Sequence, residues 1–452
     1  MIPTFYHSCV QPLSPAQRRE RDGGDPVAVA GRVRRVFSGL ERDLVGCEDL
    51  LVQTMYALLT RENLLLISRP GTAKTMFARL VFRRISGARV FDLQMSKGTL
   101  AEEVVGPVVI EEMKQGNIVH NVAGSLVDSD LAFIDEFFDA NDMVLRSLLG
   151  IFNERWFKKG RQQVEAALHT GIAAANYLRV TEITAAVLDR FLFRAYVDPR
   201  FDPYSLQLID EAYGRSFGRT DDRTDDRTDD RVAGDDQVPL SDLAFLADIV
   251  QGRSDRVTIQ APPHVLFLKN LVIKKYVARA NQQADAQEGP EVYVSPRTFA
   301  KARLLLNAAA LLRGRFTVEA GDLHDLRYLV PMLDTAGVQG RLFDSAVEET
   351  VQGLPAEELA LVDELMEANR LAEQVCERAR SGRELEVTSF LKRLMLMFRL
   401  TTPGEVHFEH VQRVLDGITP RHKDVVELKQ GLVRHMQHHQ RRLNQPGQGL
   451  LL

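Results

Sequence analysis

Five short apolar runs between residues 63 and 197 constrain the fold of this chain more than any other feature. They are NLLLI (63–67), RVFDLQ (89–94), LAFID (131–135), TGIAAAN (170–176) and FLFRAYV (191–197). Several are nearly continuous in apolar residues rather than alternating, the pattern of strands covered on both faces. Helical patterns fall between most of them. This succession predicts an α/β doubly wound layer around a parallel sheet, with ligands bound beyond the carboxyl ends of the strands.

That α/β rhythm spans 26–205 and is preceded by a lead-in, 1–25, that reads as disordered and lacks the apolar core of a secretory signal. It breaks in a connector over 206–239. There TDDRTDDRTDDR (220–231) repeats a tetrapeptide with two Asp and one Arg and no apolar residue. Such a segment has nothing to bury and predicts a solvated insert. Calcium binding is the competing reading, but no glycine turn or bidentate glutamate follows at calcium-loop spacing. A helical lid is expected over 240–337 and a further helical region over 338–452. In the latter, Leu361, Leu365, Ala368, Ala372, Val375 and Ala379 recur at helical spacing, which predicts one apolar face. Pro355 suits the first turn of that helix. The tail NQPGQGLLL reads as frayed.

Bulk properties exclude several classes. A net charge of −5 carries no basic footprint for nucleic acid. The three cysteines, Cys9, Cys47 and Cys376, are far apart and without metal-ligand spacing, which suits a reducing compartment. No window approaches the ~20 apolar residues of a membrane span, so a cytoplasmic location is expected. His435 and His439 are four apart on a polar helix beside His438, but zinc needs ligands that this segment lacks.

The chemistry begins at SRPGTAKT, Ser68–Thr75, between the first apolar run and a helical pattern. It almost fits the phosphate-binding loop G-x-x-x-x-G-K-[ST], with Ser68 and Ala73 in place of the two glycines. Such a loop turns backbone N–H groups and a helix N-terminus toward phosphates. Lys74 would reach the β- and γ-phosphates, and Thr75 would ligate Mg²⁺. Gly71 remains after Pro70, where the turn is tightest. A methyl at Ala73 is expected to fit if that residue is already helical, and Ser68 fits if its φ stays negative.

About 60 residues downstream, LAFIDEFF ends an apolar strand with Asp135 and Glu136. Asp135 is placed to hold Mg²⁺ and Glu136 to polarise the attacking water. A stray acidic pair at a strand end is the plain alternative. Asn176 follows another apolar strand in IAAANY and is suited to orienting that water. Arg190 precedes the fifth strand in LDRF, and Arg297 opens a helix in SPRTF. Arginines at such edges can reach a γ-phosphate, in the same subunit or a neighbouring one.

Together, SRPGTAKT, FIDEFF, NERWF, AAANY, LDRF and SPR resemble an AAA+ ATPase of the MoxR family, closest to its regulatory-ATPase-variant (RavA) branch. The resemblance covers about residues 30–335. Loops with alanine before the lysine are usual in that family, whereas Ser68 departs from its common glycine. The resemblance implies ATP and Mg²⁺ as cofactors. Pro70, Gly71, Thr72, Ala73, Lys74, Thr75 and Met76 would form the Walker A loop, with Val45 and Gly46 near the adenine. Asp135 and Glu136 would be the Walker B pair, and Thr75 and Asp135 the metal ligands. Asn176 would be sensor 1, Arg190 the arginine finger and Arg297 sensor 2. Residues 102–126 match a helix-2 insert facing a ring pore, and 153–163 a pre-sensor-1 hairpin. Arg155 is a second candidate for a contact in trans, against a surface arginine paired with a carboxylate. Trp156 reads as a hairpin anchor.

The implied function is a ring motor, expected to be a homo-hexamer, that remodels client protein complexes with a von Willebrand factor A domain partner. The region 338–452 would dock the partner or client, with simple packing on the ring as the equal alternative. The alternatives are a nucleic-acid-dependent AAA+ motor, the ATPase subunit of a metal chelatase, and a nucleotide-binding scaffold without turnover.

Overall fold

A computed structural model describes residues 24–178, 182–197, 202–217, 236–286, 292–329 and 338–444. The TDDR repeat, nearly all of the N-terminal lead-in and the tail 445–452 lie outside them. By packing, the chain forms two compact units. One comprises the residues up to Gln260 together with Lys275–Asp344; the other comprises Ala261–Lys274 and Ser345–Leu452.

The described strands are β1 (Leu64–Ser68), β2 (Ile85–Ser86), β3 (Val90–Gln94), β4 (Leu131–Asp135), β5 (Trp156–Lys159), β6 (Gln162–Glu165), β7 (Thr170–Ala175), β8 (Phe193–Val197) and β9 (Val238–Pro239). Five of them form one sheet in the order β3-β4-β7-β1-β8. Every pairing in it is parallel, with Leu64 opposite both Ile172 of β7 and Phe193 of β8. These five strands are the five apolar runs, and β1 and β7 are buried along their whole length. The expected α/β doubly wound sheet, with helices around it and a helical C-terminal region, is what the chain adopts.

Helices cover the sheet through apolar stripes. Lys74–Arg83 buries Phe77, Ala78, Val81 and Phe82. Asp142–Glu154 buries Val144, Leu145, Leu148, Ile151 and Phe152, and its N-terminus is capped by Asn141, whose side chain accepts from the Val144 amide at 3.1 Å. Ser295 caps Pro296–Leu312 in the same way, with proline in its first turn. Because strand order puts β7 between β4 and β1, the residues leaving these three strands at their carboxyl ends stand side by side.

In the second unit, helix Ala356–Ser381 buries Val362, Leu365, Ala368, Leu371, Ala372, Val375 and Cys376. The expected stripe is displaced at its ends, since Leu361 is half-buried and Ala379 is exposed. Pro355 stands just outside the helix as its N-cap residue. Arg378 donates to the carbonyls of Pro403 at 2.8 Å and Val406 at 2.6 Å, fixing the turn before helix Phe408–Gly417.

Candidate active site

The loop from Ser68 to Ala73 joins β1 to helix Lys74–Arg83. Gly71 takes φ +83° at its sharpest point, a conformation that favours glycine. Ala73 differs from expectation. It is not helical in the right-handed sense but sits at φ +57°, ψ +28°, and it is the residue from which the helix starts. The helix has no side-chain cap there. Its first-turn amides, which have no intrahelical acceptor, are left to a ligand, and the helix dipole favours an anion at that end.

Ser68 ends β1 as ordinary extended strand, paired with Val197. Its hydroxyl meets that of Thr72 at 2.5 Å, and Thr72 donates to the Arg69 carbonyl at 2.9 Å. The serine therefore ties the two limbs of the loop together, which a glycine at this position cannot do.

Strand order brings the next residues to this loop. Lys74 donates from Nζ to Asn176 Oδ1 at 2.6 Å, and Asn176 Nδ2 donates to Glu136 Oε1 at 2.6 Å. One carboxamide thus links the lysine beyond β1 to the glutamate beyond β4. Thr75 Oγ1 donates to Asp135 Oδ2 at 2.8 Å, and the other carboxylate oxygen of Asp135 accepts from the Glu136 amide at 2.8 Å. Glu136 itself is in the left-handed region, at φ +50°, ψ +41°. Such a backbone costs of order 1–3 kcal/mol and persists only where the surroundings hold it. Here Phe137 and Phe138 anchor the following turn; both are fully buried, and Phe137 packs edge-on against Phe191 with centroids 5.4 Å apart.

Thr75 and Asp135 fit Mg²⁺ by their chemistry. They are hard oxygen donors in direct contact, and Mg²⁺ is commonly held by one or two protein ligands plus substrate phosphates and water. Among the described residues no group of three His, Cys, Asp or Glu side chains is arranged to hold a metal unaided.

A second group forms around Asp189, which sequence reasoning passed over. Arg297 donates to Asp189 Oδ2 at 2.9 Å, and Arg190 Nη1 lies 3.7 Å from the same oxygen. Arg190 also donates to the Ala186 carbonyl at 2.8 Å. Arg194 supports this turn by donating to the Leu188 carbonyl at 2.9 Å, and burial pulls its guanidinium below the usual range. The signal available in the sequence was the acidic residue directly before Arg190. Val45 and Gly46 lie on the turn before helix Glu48–Thr60, where Gly46 takes φ +75°, and take no part in either group.

Arg155 departs from both of its expected readings, the contact in trans and the surface arginine. It closes helix Asp142–Glu154 at φ +58° and turns its guanidinium inward. There it donates to the carbonyls of Arg61 at 2.7 Å, Phe152 at 3.0 Å and His169 at 3.2 Å, and to Asn63 Oδ1 at 3.3 Å. Burial pulls its pKa down to about 10. This is a structural arginine enclosed by backbone oxygens. Its partner Asn63, fully buried at the foot of β1, was also unmarked in the sequence; it accepts from the Gly171 amide at 3.0 Å.

A hairpin overlaps the expected 153–163 but runs from Trp156 to Glu165, β5 paired antiparallel with β6. In the 102–126 segment, Val108 bridges His120 antiparallel, with helix Ile110–Lys114 between them. Gln162 joins the two features by accepting from the His120 amide and donating to the His120 carbonyl, both at 2.8 Å. Ile110, Met113 and Ile118 are exposed on the insert. No described helix is long and apolar enough to cross a membrane.

Residues 31–237 match the family model described as the MoxR domain in the MoxR-vWA-beta-propeller ternary systems. Two uncharacterized proteins of Methanocaldococcus jannaschii, MJ0812 and MJ0079, are each 33% identical over 142 residues. That stretch is 31% of this chain and 38% and 37% of theirs, so the chain spans well under half the length of these curated relatives. Structural protein ORF618 of Acidianus two-tailed virus is 28% identical over 174 residues, 37% of this chain and 28% of that protein. A crystal structure of a candidate ATPase from Cytophaga hutchinsonii shares the fold, with a TM-score of 0.52 at 15% identity over 75% of this chain and 98% of that one. The domain match covers residues 31–237, and the likeness to the crystal structure extends to the fold.

Proposed function

We propose that the chain hydrolyses ATP in a ring and uses the resulting motion to remodel or mature client protein complexes. The observation that carries the proposal is the chain of contacts from Lys74 through Asn176 to Glu136, beside the Thr75–Asp135 pair. Lys74 and the free amides of the first helical turn bind the phosphates. Glu136 accepts a proton from water attacking the γ-phosphorus, and Asn176 sets the direction of its carboxylate. Mg²⁺ held by Thr75 and Asp135, when bound, offsets charge on the phosphate oxygens.

Arg297 is assigned to the γ-phosphate of its own subunit and Arg190 to that of a neighbour, so turnover depends on assembly, with a homo-hexamer as the expected ring. Val45 and Gly46 are assigned to the adenine. The matched domain description names von Willebrand factor A and β-propeller partners, which supports a ternary assembly around this chain. The likeness to the RavA branch rests on sequence motifs alone. A cytoplasmic location suits a motor supplied with ATP.

Phosphate release by the purified full chain, with ATP and Mg²⁺, tests the proposal. Turnover lost in Glu136→Gln with ATP binding retained is the expected result. Wild-type protein that binds ATP and never releases phosphate, alone or with its partner, would leave only a scaffold.

A further inference from the structure

We infer that Asp189 is a positioning residue that holds Arg297 and Arg190 on one carboxylate until the γ-phosphate of its own subunit's ATP draws Arg297 away. This rests on the ATPase reading above. Both arginines address the same oxygen, Asp189 Oδ2, at 2.9 Å and 3.7 Å. One carboxylate therefore faces two guanidinium groups, and the pairing leaves an excess of positive charge. The Arg190 Nε is buried with no hydrogen-bond partner among the described residues. The arginines thus have unmet capacity for an anion richer in charge and oxygen atoms than a carboxylate, as a triphosphate is.

The contact is also built to exchange. Side-chain exposure is 31% at Asp189, 34% at Arg297 and 24% at Arg190, so water reaches all three. Ion pairs in such a setting are weak. Arg297 stands in the first turn of Pro296–Leu312, and Asp189 follows helix Glu182–Leu188 directly. The carboxylate and an incoming γ-phosphate compete for the same guanidinium. ADP, which has no γ-phosphate, leaves the arginine on Asp189. The competition lowers affinity for ATP while leaving ADP untouched, and release of Arg297 leaves the carboxylate to Arg190 alone.

The test is equilibrium binding of ADP and of a non-hydrolysable ATP analogue, with Mg²⁺, to the full chain and to Asp189→Asn. Removing the competing charge should tighten the ATP analogue by up to about five-fold and leave ADP unchanged. The selective gain should vanish in the Arg297→Ala background. An equal change for both nucleotides, or a gain that persists without Arg297, overturns the inference and leaves the ATPase reading standing. A wild-type chain that binds neither nucleotide overturns both.

Discussion

Lys74 and Asn176 are joined by a 2.6 Å hydrogen bond across the gap between neighbouring strands β1 and β7. The same carboxamide holds Glu136 from its other end. Phosphate binding at the lysine and water activation at the glutamate therefore share one side chain. Asn176→Ala should lower kcat by about 100-fold, the order of loss when one positioned donor is removed, and change ATP affinity much less. A change in affinity as large as the change in kcat would show that Asn176 serves binding instead.

Ser68 departs from the glycine usual at this point of the loop, and its hydroxyl contact with Thr72 braces the loop. Ser68→Gly should weaken nucleotide binding by about five-fold, the equivalent of one net hydrogen bond near 1 kcal/mol. Ala73→Gly should act the other way on the fold. It removes a left-handed alanine that costs about 1 kcal/mol or more, and thermal unfolding should shift upward by about 1 °C.

Arg155→Ala should destabilise the protein by about 3 kcal/mol, because the carbonyls of Arg61, Phe152 and His169 each lose a donor. Denaturant unfolding reads that loss directly. The fraction that remains folded should still hydrolyse ATP. Loss of turnover at undiminished stability would restore the role in trans that the buried geometry contradicts.

Gln162 should govern how firmly the insert is held. Its two 2.8 Å bonds to the His120 backbone connect β6 to the base of the 102–126 segment. Gln162→Ala should speed proteolytic nicking between residues 106 and 120 several-fold. Gly106 adds a second anchor, since a Cβ there would sit 1.8 Å from the Asn121 carbonyl oxygen. Unchanged nicking would mean that Gly106 and its neighbours hold the insert without the glutamine.

The sheet was legible because several of its strands are nearly continuous apolar runs, buried throughout in β1 and β7. LAFID became β4 without a shift of either end, and TGIAAAN became β7 with only its last residue outside. The order of strands was not legible, since apolar runs do not encode their neighbours. That order is what sets Asn176 between Lys74 and Glu136. Nor were the left-handed backbones at Ala73 and Glu136, which follow from how flanking elements are anchored. Asp189 escaped notice because an acidic residue beside an arginine is ordinary in sequence, and Arg297 reaches it only through the fold. Arg155 misled for the related reason that a charged side chain looks exposed until the carbonyls around it are known.

The most direct measurement mixes two inactive variants. Glu136→Gln keeps Arg190 but lacks the base, and Arg190→Ala keeps the base but lacks the arginine. Neither should release phosphate from ATP alone. Mixed in equal amounts, each can complete a site with the other, and turnover of about a quarter of wild type per subunit is expected for random assembly of a symmetric ring. A mixture as silent as its components, formed from subunits that still co-assemble and bind ATP, would contradict a site completed by the neighbouring subunit's Arg190.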